Sequence, residues 1–97
     1  MYTQNEILSL LRSAKPHLEK KYGVKTLALF GSYSRNTAVN GKSDIDVMVD
    51  FSEPIGLAFV ALADELETLL QLKVDLVSRG GIKPKYFSVI ERDLIYV

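Results

Sequence analysis

The chain contains no cysteine and a single histidine among its 97 residues. The lack of cysteine excludes disulfides, thiolate metal sites and cysteine nucleophiles, and it fits a reducing cytoplasm. The one histidine, His17, is far in sequence from the acidic residues discussed below, so it predicts a surface or packing role and no Ser-His-Asp catalysis. No apolar run approaches the roughly 20 residues that span a bilayer. Residues 1–6 also lack a basic region followed by an apolar core, so no signal peptide is predicted. We therefore expect a cytoplasmic protein without a membrane partner.

The chain also lacks an excess of charge of either sign. Twelve basic residues balance twelve acidic ones. Without a global positive field, nucleic acid is not expected as a direct partner. The 47% hydrophobic and 25% charged composition is that of an ordinary globular protein. The length suits one domain over residues 1–97.

The hydrophobic pattern predicts helices and strands in mixed order. Thr3 to Glu6 matches a capping box, and the apolar stripe that follows predicts a helix. Pro16 is expected to kink this helix or to begin a second one ending near Gly23. Together the elements predict an α+β fold, a small mixed sheet packed against helices. Strands are predicted at residues 24–30, 45–51 and 73–77, and later helices at about 57–72 and from Pro84 onward.

Gly31 and Ser32 follow the first predicted strand, and Asp44 and Asp46 stand at the start of the second. A Gly-Ser corner can offer backbone N–H groups and a hydroxyl to a phosphate. Carboxylates at i and i+2 of a strand point to the same side of the sheet, roughly 6–7 Å apart along the backbone. This arrangement predicts a phosphate cradle beside a paired-carboxylate metal site.

A third carboxylate strengthens that prediction. Asp75 lies inside the third predicted strand, where an unpaired carboxylate would be costly. If the strands pair, Asp75 can join Asp44 and Asp46 in a cluster of the oxygen ligands that magnesium prefers. Arg35, in the loop after the Gly-Ser corner, is a candidate contact for a triphosphate, although a solvated loop charge is the alternative interpretation.

These residues resemble a known family. Gly31-Ser32, then residues 43–47 (Ser-Asp-Ile-Asp-Val), then residues 74–77 (Val-Asp-Leu-Val) are similar to the minimal nucleotidyltransferase (MNT) branch of the DNA polymerase β-like superfamily, over nearly the whole chain. The resemblance implies a polymerase β palm-like fold, two Mg²⁺ ions and ATP as substrate. It further implies that Asp44, Asp46 and Asp75 are catalytic and bind the metal, and that Gly31, Ser32 and Arg35 contact the nucleotide.

Small members of this branch are commonly encoded beside a HEPN-domain ribonuclease, as antitoxins of HEPN–MNT pairs. The resemblance therefore implies transfer of AMP from ATP to a hydroxyl, expected to be a tyrosine, of a HEPN toxin encoded by the adjacent gene. Two other functions are open: a non-catalytic antitoxin that blocks its partner by complex formation, and a nucleotidyltransferase acting on a small molecule such as an aminoglycoside. Where members often carry glycine this chain has Asn36, which suits a left-handed backbone conformation if one is needed there.

Overall fold

A computed structural model describes residues 2–39 and 42–97; the turn predicted at Asn40-Gly41 lies outside them. The elements are α1 (Gln4–Tyr22), β1 (Val24–Phe30), α2 (Gly31–Ser34), β2 (Ile45–Phe51), α3 (Ala58–Leu70), β3 (Val74–Ser78), α4 (Pro84–Ile90) and β4 (Ile95–Tyr96), with short 3-10 turns at Arg79–Gly81 and Glu91–Asp93. The strands form one sheet in the order β3-β2-β1-β4. β1 is antiparallel to β2 and β4, whereas β2 and β3 are parallel. The α+β prediction with a small mixed sheet is confirmed.

Helix α1 is a single helix that continues through Pro16. Its start is the predicted capping box, in which Thr3 and Glu6 exchange side-chain and backbone hydrogen bonds. The expectation of a second helix beginning at Pro16 is wrong. Pro16 is exposed, so water can bind the carbonyl that its missing N–H leaves free. Packing of the apolar stripe on both sides of the proline keeps the two halves together.

Both long helices pack on one face of the sheet. Leu27 and Leu29 of β1 and Val47 and Val49 of β2 are fully buried against them. A bulge between Val24 and Thr26 shifts the alternation, so the first residue of β1 also faces this core. Side chains alternate across a strand, so the residues between these apolar ones point to the other face of the sheet. The acidic residues predicted to be functional lie on that second face. The helices contribute Ile7, Leu8, Leu11, Leu18, Tyr22, Leu62, Leu66 and Leu70 to the core.

Helix α3 ends in a left-handed residue that is not glycine. Gln71 has φ 55° at the C-terminal cap, where its N–H donates to Glu67 O at 2.8 Å. A side chain in this conformation is strained, whereas glycine adopts it readily. Gln71→Gly is therefore expected to raise the free energy of unfolding by about 0.5–1 kcal/mol. Thermal unfolding measures the gain, with Gln71→Ala as the control. An equal gain from the alanine variant would show that backbone strain is not the cause.

Candidate active site

Two carboxylates lie side by side at one end of the sheet. Asp46 on β2 and Asp75 on β3 are direct partners in the parallel register, and Phe30 on β1 is the partner of Asp46 on its other side. Adjacent strands are about 4.8 Å apart. Both side chains point away from the helical core, because Ile45 and Val47 point into it. The register therefore brings together two acidic residues that are far apart in the sequence.

Gly31 packs directly against the Asp46 carboxylate. A Cβ built on this glycine would lie 2.0 Å from Asp46 Oδ2 and 2.9 Å from Cγ, and its φ is +75°. Space and backbone conformation thus both require glycine here. The Gly-Ser corner therefore lies against Asp46, one of the acidic residues predicted from the sequence.

The electrostatic field at Asp46 favours a positive ligand. Burial, followed by the charges of Asp75 and Asp44, raises the pKa of Asp46 to about 6, and Arg35 opposes this shift. Two nearby carboxylates disfavour a further negative charge unless a cation lies between them. The strand register places Asp75 beside Asp46, and Asp44 stands two residues before Asp46 in the chain.

The short helix α2 is held in place from two directions. Gln4 Nε2 of α1 donates to the carbonyls of Ser34 (2.7 Å) and Tyr33 (3.3 Å). On the other side, the Ser34 hydroxyl donates to the carbonyl of Asp93, just before β4. The half-buried Ser32 makes no side-chain hydrogen bond within the described part of the chain. Its hydroxyl is therefore available at the site.

Arg35 forms an ion pair in this structure. Its Nη1 lies 2.5 Å from Asp93 Oδ2, with half of the arginine side chain exposed. The guanidinium is also close enough to Asp46 to lower the pKa of that carboxyl. The role of Arg35 toward a triphosphate remains a prediction, and in the structure Asp93 holds the guanidinium.

The acidic residues fit magnesium as part of its set of ligands, with substrate phosphates and water as the rest. Among residues 2–39 and 42–97, no three acidic or histidine side chains converge closely enough to enclose a metal ion by themselves. Magnesium is usually held by one or two carboxylates together with substrate phosphates and water, so a complete protein cage is not needed. The repulsion that raises the pKa of Asp46 is what such an ion would relieve. The roles of Asp44, Asp46 and Asp75 as its ligands stay predictions, and of these the register places Asp46 and Asp75 side by side.

Two smaller predictions are confirmed. Asn36 has φ 59°, the left-handed conformation in which asparagine replaces glycine at low cost. His17 is a surface residue of α1, 3.5 Å from Glu65 and 61% exposed. Sequence reasoning missed Asp93 and Gln4, which hold α2 in place. No sequence signal marks them, because both contacts join residues far apart in the chain.

In the part of the chain that the structure covers, no helix has the length and hydropathy of a membrane span.

The sequence matches the family model of the nucleotidyltransferase domain over residues 11–97. A Methanocaldococcus jannaschii protein named as a proposed protein adenylyltransferase is 52% identical over 99 residues, covering all of both chains. The protein adenylyltransferase MntA of Thermococcus cleftensis is 41% identical, covering 100% of this chain and 98% of that relative.

Several solved structures are also similar to this chain. A structure described as a proposed minimal nucleotidyltransferase has a TM-score of 0.79 at 30% identity, covering 97% of this chain and 95% of that one. A toxin–antitoxin structure with AMP-PNP has a TM-score of 0.70 at 28% identity, covering 98% and 72%. The complex of a tri-AMPylated Shewanella oneidensis HEPN toxin with its MNT antitoxin has a TM-score of 0.61 at 26% identity, covering 96% and 66%.

Proposed function

Since this chain belongs to the nucleotidyltransferase family, we propose that it is a magnesium-dependent antitoxin that transfers AMP from ATP to a tyrosine hydroxyl of a HEPN toxin and thereby neutralises it. The observation that carries the proposal is the pairing of Asp46 with Asp75 beside Gly31. This arrangement puts a cation-binding acidic pair next to a turn suited to phosphate.

That geometry supports the following reaction. The acceptor hydroxyl attacks the α-phosphorus of ATP, an O–P bond forms, and the bond from the α-phosphorus to the bridging oxygen breaks to release pyrophosphate. Bound magnesium would neutralise the triphosphate and the leaving pyrophosphate and lower the pKa of the attacking hydroxyl. Asp75, exposed at the outer strand, takes up the proton of that hydroxyl. Gly31 and Ser32 hold the phosphates.

The partner is inferred from relatives. The similar chain in the Shewanella oneidensis complex is an MNT antitoxin bound to an AMPylated HEPN toxin. By analogy with that complex, a HEPN protein is the proposed source of the acceptor hydroxyl, and the gene next to this one is the first place to look for it.

The test is transfer of label from α-labelled ATP. The purified protein, its candidate HEPN partner and magnesium are incubated together, and the modified residue is identified by mass spectrometry. We expect label on a partner tyrosine, with simultaneous loss of ribonuclease activity. Asp44→Asn is expected to lower transfer by at least about 1,000-fold, because it removes a carboxylate ligand of the metal.

Each alternative function gives a different result. Neutralisation of the toxin by Asp44→Asn, without label on the partner, would favour an antitoxin that acts by binding alone. Label in a free small molecule would favour an aminoglycoside-type enzyme. Omitting magnesium is expected to abolish transfer, and transfer that persists in excess chelator would contradict the metal-dependent mechanism.

A further inference from the structure

A side-chain hydrogen bond ties the end of α3 to the start of β3. Glu67 Oε2 accepts the backbone N–H of Val74 at 2.9 Å, in a partly buried position. Glu67 lies in the last turn of α3, and Val74 is the first residue of β3. The contact spans the short connection between the two elements and fixes where the strand begins.

The N–H of Val74 needs such a partner because β3 is an edge strand. Ile45 N donates to Lys73 O at 3.0 Å, so the backbone groups of residue 73 point toward β2. Successive residues of a strand point their backbone groups to opposite sides. Those of Val74 therefore point outward, where the sheet supplies no acceptor. A carboxylate is a strong acceptor for this N–H.

The next residue along β3 is Asp75. It lies directly beside Asp46, and like charges on neighbouring strands repel each other. An edge strand has a neighbour on one side only, so this repulsion pushes Asp75 outward with no strand to oppose it. We propose that Glu67 is a positioning residue, which holds Asp75 opposite Asp46 for AMP transfer by binding the N–H of Val74. This inference rests on the proposed function.

The test compares Glu67→Ala with Glu67→Gln. The alanine variant loses the acceptor, and a displacement of Asp75 by a fraction of an ångström to 1 Å is expected to lower kcat about 10–100-fold. The KM for ATP is expected to stay within about twofold, because Gly31 and Ser32 lie in α2 after β1 and not on β3. Glutamine retains an acceptor oxygen, so it is expected to restore most of kcat.

An independent readout uses NMR without nucleotide. We expect amide hydrogen exchange of Val74 to be faster in Glu67→Ala and restored in Glu67→Gln. The carboxyl chemical shift of Asp75 is expected to change in the alanine variant alone. If the wild type transfers no AMP, the proposed function fails, and these two measurements still decide whether Glu67 positions Asp75.

Two control variants separate positioning from general effects. Thr68→Ala changes the next residue of α3, whose hydroxyl binds only its own helix at Asp64 O, and it is expected to leave kcat unchanged. Ile7→Val removes one methylene from the buried core and costs about 1 kcal/mol of stability. Unchanged Val74 exchange in Glu67→Ala, or an equal loss of kcat in Ile7→Val, would overturn the proposal.

Discussion

Asp46→Asn is expected to abolish AMP transfer and, without magnesium, to make the protein more stable. The carboxylate is partly buried beside two other acids, which raises its pKa to about 6. The charged form is therefore disfavoured in the folded state, and a neutral amide of the same shape avoids that cost. Because solvent screens this partly buried group, we expect a gain of about 1 kcal/mol rather than the full value of the pKa shift.

The stability gained by Asp46→Asn is expected to increase with pH. The pKa of Asp46 is raised from 3.8 to about 6 on folding, so the folded state binds its proton more tightly than the unfolded state. The wild type consequently loses stability relative to the variant as pH rises from about 4 to about 6, and the difference is complete near pH 7. Below about pH 4 Asp46 is protonated in both the folded and the unfolded state, and the difference in stability between wild type and variant is expected to vanish.

Chemical denaturation at a series of pH values, in chelator, measures this effect. Asp64→Asn is the matched control, because Asp64 is an exposed aspartate on α3. It is expected to change neither stability nor transfer. A wild type as stable as Asp46→Asn at pH 7 would contradict the electrostatic account of the site. Detectable transfer by Asp46→Asn would contradict its role in catalysis.

Gly31→Ala is expected to damage both fold and activity. The added Cβ would meet Asp46 Oδ2 at 2.0 Å, and the left-handed backbone adds strain. Together these effects are expected to cost about 2–4 kcal/mol of stability. The carboxylate must rotate away or the corner must shift, so AMP transfer is expected to fall by about 100-fold or more.

Gly23→Ala provides a matched control for Gly31→Ala. Gly23 has nearly the same φ, +71°, but nothing lies within 4 Å of its added Cβ. The Gly23→Ala variant therefore has the backbone strain without a steric clash. Its stability is expected to fall by about 1 kcal/mol, with no effect on kcat. Equal destabilisation of the two variants would show that contact with Asp46 does not explain the requirement for glycine at residue 31.

The sequence predicted that Asp46 and Asp75 lie together, but it did not predict the contacts around them. The spacing of Asp44 and Asp46 and the isolated Asp75 within an apolar strand are local patterns, and a strand places such residues on a defined face. Pairing of β2 with β3 then brings the acids together. The pairing of Arg35 with Asp93 could not be predicted, because only the complete chain path brings residue 93 to that corner.

Contacts between distant residues are a second reason why the sequence does not predict every feature. At residue 31, the lack of space for a side chain comes from the carboxylate of Asp46, which is distant in the sequence. Pro16 is a second example, since local rules allowed a new helix to begin there and the structure has one continuous helix. In each case a contact between distant residues outweighs the local preference.

The two-residue strand β4 has a consequence for the order of folding. It pairs Tyr96 with Ala28 and Ile95 with Leu29, and these contacts close residues 28–96 into a loop. Closing such a long loop is entropically costly, so we expect this pairing to form after β1, β2 and β3 have assembled. Asp93, which accepts hydrogen bonds from Ser34 and Arg35, lies two residues before that strand. We therefore expect the Gly-Ser corner to acquire its final support only in the last step of folding.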